Sequence, residues 1–168
     1  MVQAKASTFP FDSFQGVRIC NKITDKIWLG SLPATKHERL EENKITHVLS
    51  AGYFPKVKDE LPEFIRCQLM INVLDLANQD IYSKLDEGVD FIKASINESD
   101  DSCILVHCQE GKSRSTSFII AYFIREEGMT YMDAWDKVRR ERWIANPNQG
   151  FVEQIKRYEE ALKSNNPK

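Results

Sequence analysis

Short apolar runs alternate with stretches of helical periodicity along this chain. Arg18–Ile23 and Lys26–Leu29 flank the polar pair Thr24-Asp25, which predicts two short strands around a turn. Thr35 to Asn43 predicts a polar helix. Thr46 to Ser50 is β-rich and predicts a buried strand. Phe64 to Ile71 predicts another, followed by a polar loop over residues 72–80. Leu85, Val89, Ile92 and Ile96 recur at helical spacing, so a helix is expected from about Ile81 to Asn97, with Asp80 or Ser83 as its cap. Cys103-Ile104-Leu105-Val106 ends abruptly in His-Cys, the pattern of a central strand. Ser115 to Glu127 is helical again and stops at Gly128. Thr130 opens a further helix to about Arg142, with Asp133 completing a variant capping box. Pro147 breaks the chain, and Gly150 to Lys163 forms the last helix.

Strands alternating with helices predict a single α/β domain: a central, mostly parallel twisted sheet of about five strands flanked by helices. Residues 1–16 read as a weakly patterned N-terminal extension, 17–163 as the domain, and 164–168 as a frayed polar tail. A ligand is expected at the C-terminal end of the strand that begins at Cys103. The net charge of −2 supplies no overall basic field, so neither nucleic acid nor an anionic membrane is an expected partner. Phe118 to Ile124 is the longest strongly apolar stretch, far short of the ~20 residues a membrane helix needs. Met1 to Lys5 leads into no apolar signal segment, and neither end carries a lipid-anchor motif. The four cysteines show no zinc spacing, so no metal is expected and reduced thiols in the cytoplasm or nucleus are the default.

The chemistry is concentrated in His107-Cys108-Gln109-Glu110-Gly111-Lys112-Ser113-Arg114-Ser115. A tight turn between a buried strand and a helix N-terminus converges backbone amides into an anion-binding nest. Gly111 supplies the freedom to close it. Cys108, at its start, is placed where those donors favour thiolate over thiol. Arg114, six residues on, offers a planar fork that matches two phosphate oxygens at once. Gln109, Glu110, Gly111, Lys112, Ser113 and Arg114 are the candidate phosphate-binding residues. Ser115 is placed to hydrogen-bond the sulfur as a leaving group. His107 reads as a structural group of the loop rather than a base, since a thiolate already formed needs none.

Cys-x5-Arg, with Gly at its fourth position, His before it and Ser after it, resembles the signature loop of the protein tyrosine phosphatase superfamily. Lys26-Ile27-Trp28-Leu29-Gly30-Ser31, Ile45 to Leu49, and Asn146-Pro147-Asn148 with Phe151 resemble its dual-specificity branch. The resemblance runs from about Ile23 to Leu162. It implies a cysteinyl-phosphate enzyme without cofactor, and a phosphorylated protein as partner, with mitogen-activated kinases as analogues of the substrate. It also implies a small atypical member or an isolated catalytic domain, since no rhodanese-like docking domain precedes the loop. Oligomeric state is not legible, and a monomer is the simplest expectation.

Expelling an alkoxide or phenolate calls for a carboxylic acid. Asp75, Asp80 and Glu110 are candidates. In the family the acid lies in a loop some thirty residues before the cysteine, with a second Asp at the following helix start. Asp75 matches the acid and Asp80 the helix start. Asn148 is expected to bond backbone near the loop. Glu110, where many members have Ala, is expected at the pocket rim, and Trp143 replaces a common Pro. Lys112 is the only basic residue between Cys108 and Arg114, which favours phosphoproteins over polyphosphorylated headgroups. Other substrates of the same chemistry are phosphoinositides, RNA 5′-phosphates and glucan phosphates, and a non-catalytic phospho-binding module is the rival from another class. Cys20, Cys67 and Cys103 read as small core hydrophobes. Cys103 has a second reading, as a partner that protects oxidised Cys108. Arg139, Arg140 and Arg142 read as a solvated helix face.

Overall fold

Inward-facing positions alternate along the strands between two apolar layers, and this alternation sets the architecture. The structure is a computed structural model that describes residues 18–165; the expected extension over residues 1–16 lies outside the described residues. Five strands form one sheet: β1 (Cys20–Lys22), β2 (Ile27–Gly30), β3 (His47–Ala51), β4 (Cys67–Ile71) and β5 (Ile104–His107). Their order is β1-β2-β5-β3-β4, antiparallel between β1 and β2 and parallel elsewhere. The strand that feeds the Cys108 loop is therefore central, as expected. On β5, Ile104 and Val106 face one buried cluster while Leu105 and the preceding Cys103 face the other. Ile27 and Leu29 of β2 face the first cluster, and Trp28 packs on the second. A period of two gives each face its own core.

The larger cluster is covered by α3 (Tyr82–Asn97), α4 (Arg114–Glu127), α5 (Tyr131–Glu141) and α6 (Gln149–Asn165). Helix α4 packs among the other three and is buried at every position from Ser115 to Ile124. Its C-terminus is closed by Gly128 in the left-handed conformation, φ 67°. Thr130 caps α5 by accepting from the Asp133 amide at 3.2 Å. The other face carries α1 (His37–Glu42) with Ala34, Leu40 and Ile45.

Several expected boundaries move. The polar helix predicted from Thr35 divides into a 3-10 turn over Leu32–Thr35, with Pro33 inside it, and α1. The strand predicted from Phe64 begins at Cys67. The chain between β3 and β4 also holds α2 (Pro55–Glu60), a helix absent from the sequence expectations. At the start of α3, Asp80 accepts from the Ser83 amide at 3.1 Å, and Gln154 of α6 accepts from both Ile81 and Tyr82 at 2.9 Å. Helix α6 continues two residues into the expected tail, through Asn165.

Two cysteines leave the core. Cys67 is exposed on edge strand β4 and Cys20 is half-buried on β1. Cys103 is buried, but it precedes the far end of β5 from Cys108. Five residues of extended chain span about 16 Å, well beyond the ~7 Å Cα limit of a disulfide. The protective pairing of Cys103 with Cys108 is excluded by that distance.

Gly88 of α3 faces the Phe118 ring of α4 so closely that a Cβ would lie 2.3 Å from a ring carbon. Phe118 is fully buried and has nowhere to retreat. Gly88→Ala is therefore expected to lower stability by about 1–2 kcal/mol, overpacking exceeding the gain in helix propensity. A urea unfolding curve with a lower midpoint and unchanged slope checks this.

Candidate active site

The loop from Cys108 to Ser113 leaves β5 and closes on the first turn of α4. Gly111 makes the closure possible at φ 64°, where a Cβ would fall 2.4 Å from the Gly30 carbonyl oxygen of β2. The Leu32 amide donates to the Gln109 carbonyl at 3.1 Å, and the Asn146 amide to the Lys112 carbonyl at 2.8 Å. The loop's carbonyls are thus drawn outward, which turns amides inward.

Cys108 Sγ accepts from the Gly111 amide at 3.2 Å and from the Ser115 hydroxyl at 3.2 Å. Burial by itself raises its pKa. The Ser115 hydroxyl, the Ser115 and Lys112 amides and the Arg114 charge outweigh burial, and the net displacement is downward. The arrangement shifts the balance toward the sulfur anion, the property expected of a reactive thiol.

A hollow of about 450 Å³ opens over this sulfur. Its floor and wall are Cys108, Gln109, Glu110, Lys112, Ser113 and Arg114. Asp75, Asn146 and Asn148 complete it from neighbouring loops. Arg114 is held from behind: Nη1 donates to the Val73 carbonyl at 3.4 Å, and the guanidinium lies 5.9 Å from the Phe54 ring centroid. Its Nε is a buried donor with no acceptor among the described residues, a group whose burial is costly unless an anion meets it. Asp75 Oδ1 accepts from Ser113 Oγ at 2.7 Å and from Asn148 Nδ2 at 2.8 Å, which fixes the carboxyl beside the hollow. Asp80 does not line it.

His107 is fully buried beneath the loop. Ser50 Oγ lies 2.7 Å from its Nε2 and the Cys108 carbonyl 3.3 Å from its Nδ1. A carbonyl only accepts, so Nδ1 carries the proton and Nε2 accepts from the serine. Burial pushes this imidazole down to about 4, so it is neutral at physiological pH.

The sequence-predicted residues gather here with two adjustments. Asn148 bonds the Asp75 carboxyl by its side-chain amide, not loop backbone; its own amide donates to Ser113 Oγ, and its Oδ1 accepts from the Phe151 amide. Arg142 is no solvated face. It is buried at 2% exposure and bonds the loop from below. Arg139 lies over the Trp135 ring. Two further residues went unread. Gly52 follows β3 at φ 137°, where a Cβ would lie 2.5 Å from Arg114 Nη1. Ser50 fixes the His107 tautomer. A glycine directly after a buried strand was the available signal for the first; Ser50 left none.

The family described as "Dual specificity phosphatase, catalytic domain" matches residues 27–161. The chain belongs to this family. "Dual specificity protein phosphatase MPK-4" of Drosophila melanogaster is 33% identical over 81% of this chain and 35% of its own length. "Dual specificity protein phosphatase 1B" of Arabidopsis thaliana is 30% identical over 90% of this chain and 88% of its own. Among solved structures, the Yvh1 phosphatase domain from Chaetomium thermophilum superposes with a TM-score of 0.75 at 28% identity, over 84% of this chain and 96% of that one. The chain thus spans about a third of the fly relative and most of the plant one.

The His107 geometry ties family loop to folding. The imidazole binds a proton near its ordinary 6.5 in the unfolded chain and near 4 in the native one. Between those values the unfolded state holds more protons, so stability is full above about 6.5 and falls as pH drops toward 4. The loss reaches about 3 kcal/mol at the low end. Native His107 proton resonances that do not titrate above pH ~5, together with denaturant midpoints falling over that window, check this.

Proposed function

We propose that this family member hydrolyses phosphotyrosine and phosphoserine or phosphothreonine in proteins through a cysteinyl-phosphate. The observation that carries the reading is the sulfur of Cys108, buried yet held toward its anion on the floor of a hollow walled by Arg114.

The Cys108 thiolate attacks phosphorus, forming S–P as the ester P–O bond breaks. Asp75 gives its proton to the departing oxygen. The Arg114 fork and the inward amides hold the equatorial oxygens, and bind them more strongly as negative charge grows there. Water then attacks phosphorus while the Asp75 carboxylate takes its proton. The S–P bond breaks, the Ser115 hydroxyl meets the returning thiolate, and inorganic phosphate leaves. His107 stays neutral throughout, fixing the backbone at Cys108.

Features of the rim support a protein substrate. Leu74 and Leu76, which flank Asp75, are exposed at 54% and 52%, a surface suited to apolar side chains beside a phosphoresidue. Lys112 is the only loop lysine and Glu110 opposes it, a poor match for polyphosphorylated headgroups. A mitogen-activated kinase is the candidate substrate suggested by family analogy, and the cytoplasm or nucleus the compartment suggested by free thiols.

Cys108→Ser is expected to abolish turnover of an aryl phosphate while retaining phosphopeptide binding. Asp75→Asn is expected to lower kcat by about 10²–10⁴-fold for poor leaving groups and much less for good ones. Asp80→Asn, which touches only the start of α3, serves as the comparison. Full activity of Asp75→Asn on phosphoprotein, with loss in Asp80→Asn, overturns the acid assignment. Binding without turnover in the intact protein favours the phospho-binding module. A panel containing phosphoinositide, RNA 5′-phosphate and glucan phosphate decides the substrate class.

A further inference from the structure

The buried guanidinium of Arg142 lies behind the loop, on the opposite side from Cys108. Four hydrogen bonds leave it among the described residues. Nε donates to the Gly111 carbonyl at 2.7 Å and Nη2 to the Glu110 carbonyl at 2.9 Å. Nη1 donates to the Arg18 carbonyl and to Asn21 Oδ1, both at 2.8 Å.

The two loop carbonyls belong to consecutive peptide units. The Glu110 carbonyl shares its plane with the Gly111 amide, whose N–H donates to Cys108 Sγ at 3.2 Å. The Gly111 carbonyl shares its plane with the Lys112 amide, which also acts on that sulfur in favour of its anion. Each plane is therefore clamped between a cation outside and a sulfur inside. A rigid plane whose oxygen is fixed outward has its N–H fixed inward. A charged donor on the oxygen also polarises the amide toward a stronger hydrogen bond. The left-handed φ of Gly111 lets two successive planes turn the same way, and the space behind it is filled by Arg142 itself: a Cβ would lie 2.9 Å from Nη2.

We infer that Arg142 is a positioning residue for the proposed reaction, aiming two backbone amides at the Cys108 sulfur by gripping their carbonyl oxygens from behind. This rests on the reading of Cys108 as the nucleophile. Arg142 touches neither sulfur nor substrate. Its side of the effect is separable from the charges that line the hollow, namely Arg114 from α4, Lys112 and Glu110 from the loop and Asp75 opposite them, with His107 neutral beneath. On its own far side it faces Cys20.

The test compares Arg142→Lys, Arg142→Met and Asn21→Ala in the full chain. Lys keeps a charge but cannot grip two carbonyls as a fork, Met keeps neither, and Asn21→Ala releases β1 while sparing both loop bonds. The first readout is the pH dependence of iodoacetamide alkylation at Cys108, followed by mass spectrometry to separate it from Cys20, Cys67 and Cys103. The second is the pH profile of kcat/KM on an aryl phosphate. Arg142→Met is expected to raise the thiol pKa by about one unit, so that activity falls about tenfold more on the acid side of the profile than on the alkaline side. Arg142→Lys moves the same way by less, and Asn21→Ala leaves the thiol unmoved. A folded Arg142→Lys or Arg142→Met with the native thiol pKa overturns the inference, as does Asn21→Ala moving it as far as Arg142→Met. Should Arg142→Met fail to fold, Arg142→Lys decides. The alkylation readout stands without turnover, so inactivity of the intact protein would count against the proposed reaction and not against this clamp.

Discussion

An anion buried in protein has to be matched donor by donor, and at Cys108 the matching is shared between the Ser115 hydroxyl and the backbone amides of the loop. Burial opposes the thiolate; the Ser115 hydroxyl, the amides of Gly111, Lys112 and Ser115 and the Arg114 guanidinium oppose burial, and together they prevail. Backbone amides point inward only if their carbonyls find partners outward. That condition reaches far into the fold. It draws Leu32 onto the Gln109 carbonyl, Asn146 onto that of Lys112, and Arg142 onto those of Glu110 and Gly111. The strand order follows the same need: β2 and β3 flank β5, so the loop closes against Gly30 on one side and Arg114 stands over Gly52 on the other.

The outward partners come from segments distant in sequence. Asn21 is on β1, Arg142 follows α5, and Asn146 and Asn148 precede α6. The same pattern governs the candidate acid. Asp75 is oriented by Ser113, which precedes α4, and by Asn148, so the candidate nucleophile, phosphate clamp and acid share one framework. Ser113 bridges Asp75 and the Asn148 amide. A change at Asn148 would therefore act through Asp75 before it acted on the loop.

What was legible in the sequence follows from what is local. The short apolar strands, the Gly128 stop, the Thr130 cap and the Cys-x5-Arg loop are each written within a few neighbouring residues, and each was readable. The place of Asp75 beside the hollow was readable from its spacing before Cys108. Arg142 was misread because its immediate neighbours, Arg139, Arg140 and Glu141, are charged, and a run of charge normally marks a wet face. Nothing local distinguishes the one arginine whose carbonyl partners arrive from residues 18, 110 and 111. Cys67 was misplaced for the converse reason: its strand is apolar in sequence, yet it lies at the sheet edge, and edge position is a property of topology. Helix α2 is only six residues long and begins at a proline, too short for periodicity to register.

Depth of placement separates the two basic groups of the site by task. Arg114 lines the hollow with a buried Nε that has no acceptor among the described residues, a donor left for an anion to meet. Arg142 spends its donors on carbonyls and sits wholly inside the protein. A guanidinium suits both tasks because it is planar, permanently charged and carries its donors in fixed directions. In the first position the fork suits the tetrahedral anion of the proposed reaction, whose charge changes as it proceeds. In the second it is matched to two peptide oxygens whose charge does not. A group that responds to substrate and a group that keeps the amides still are thereby divided between the front and the back of one turn, and the sulfur is tuned from behind without any side chain crowding the phosphate.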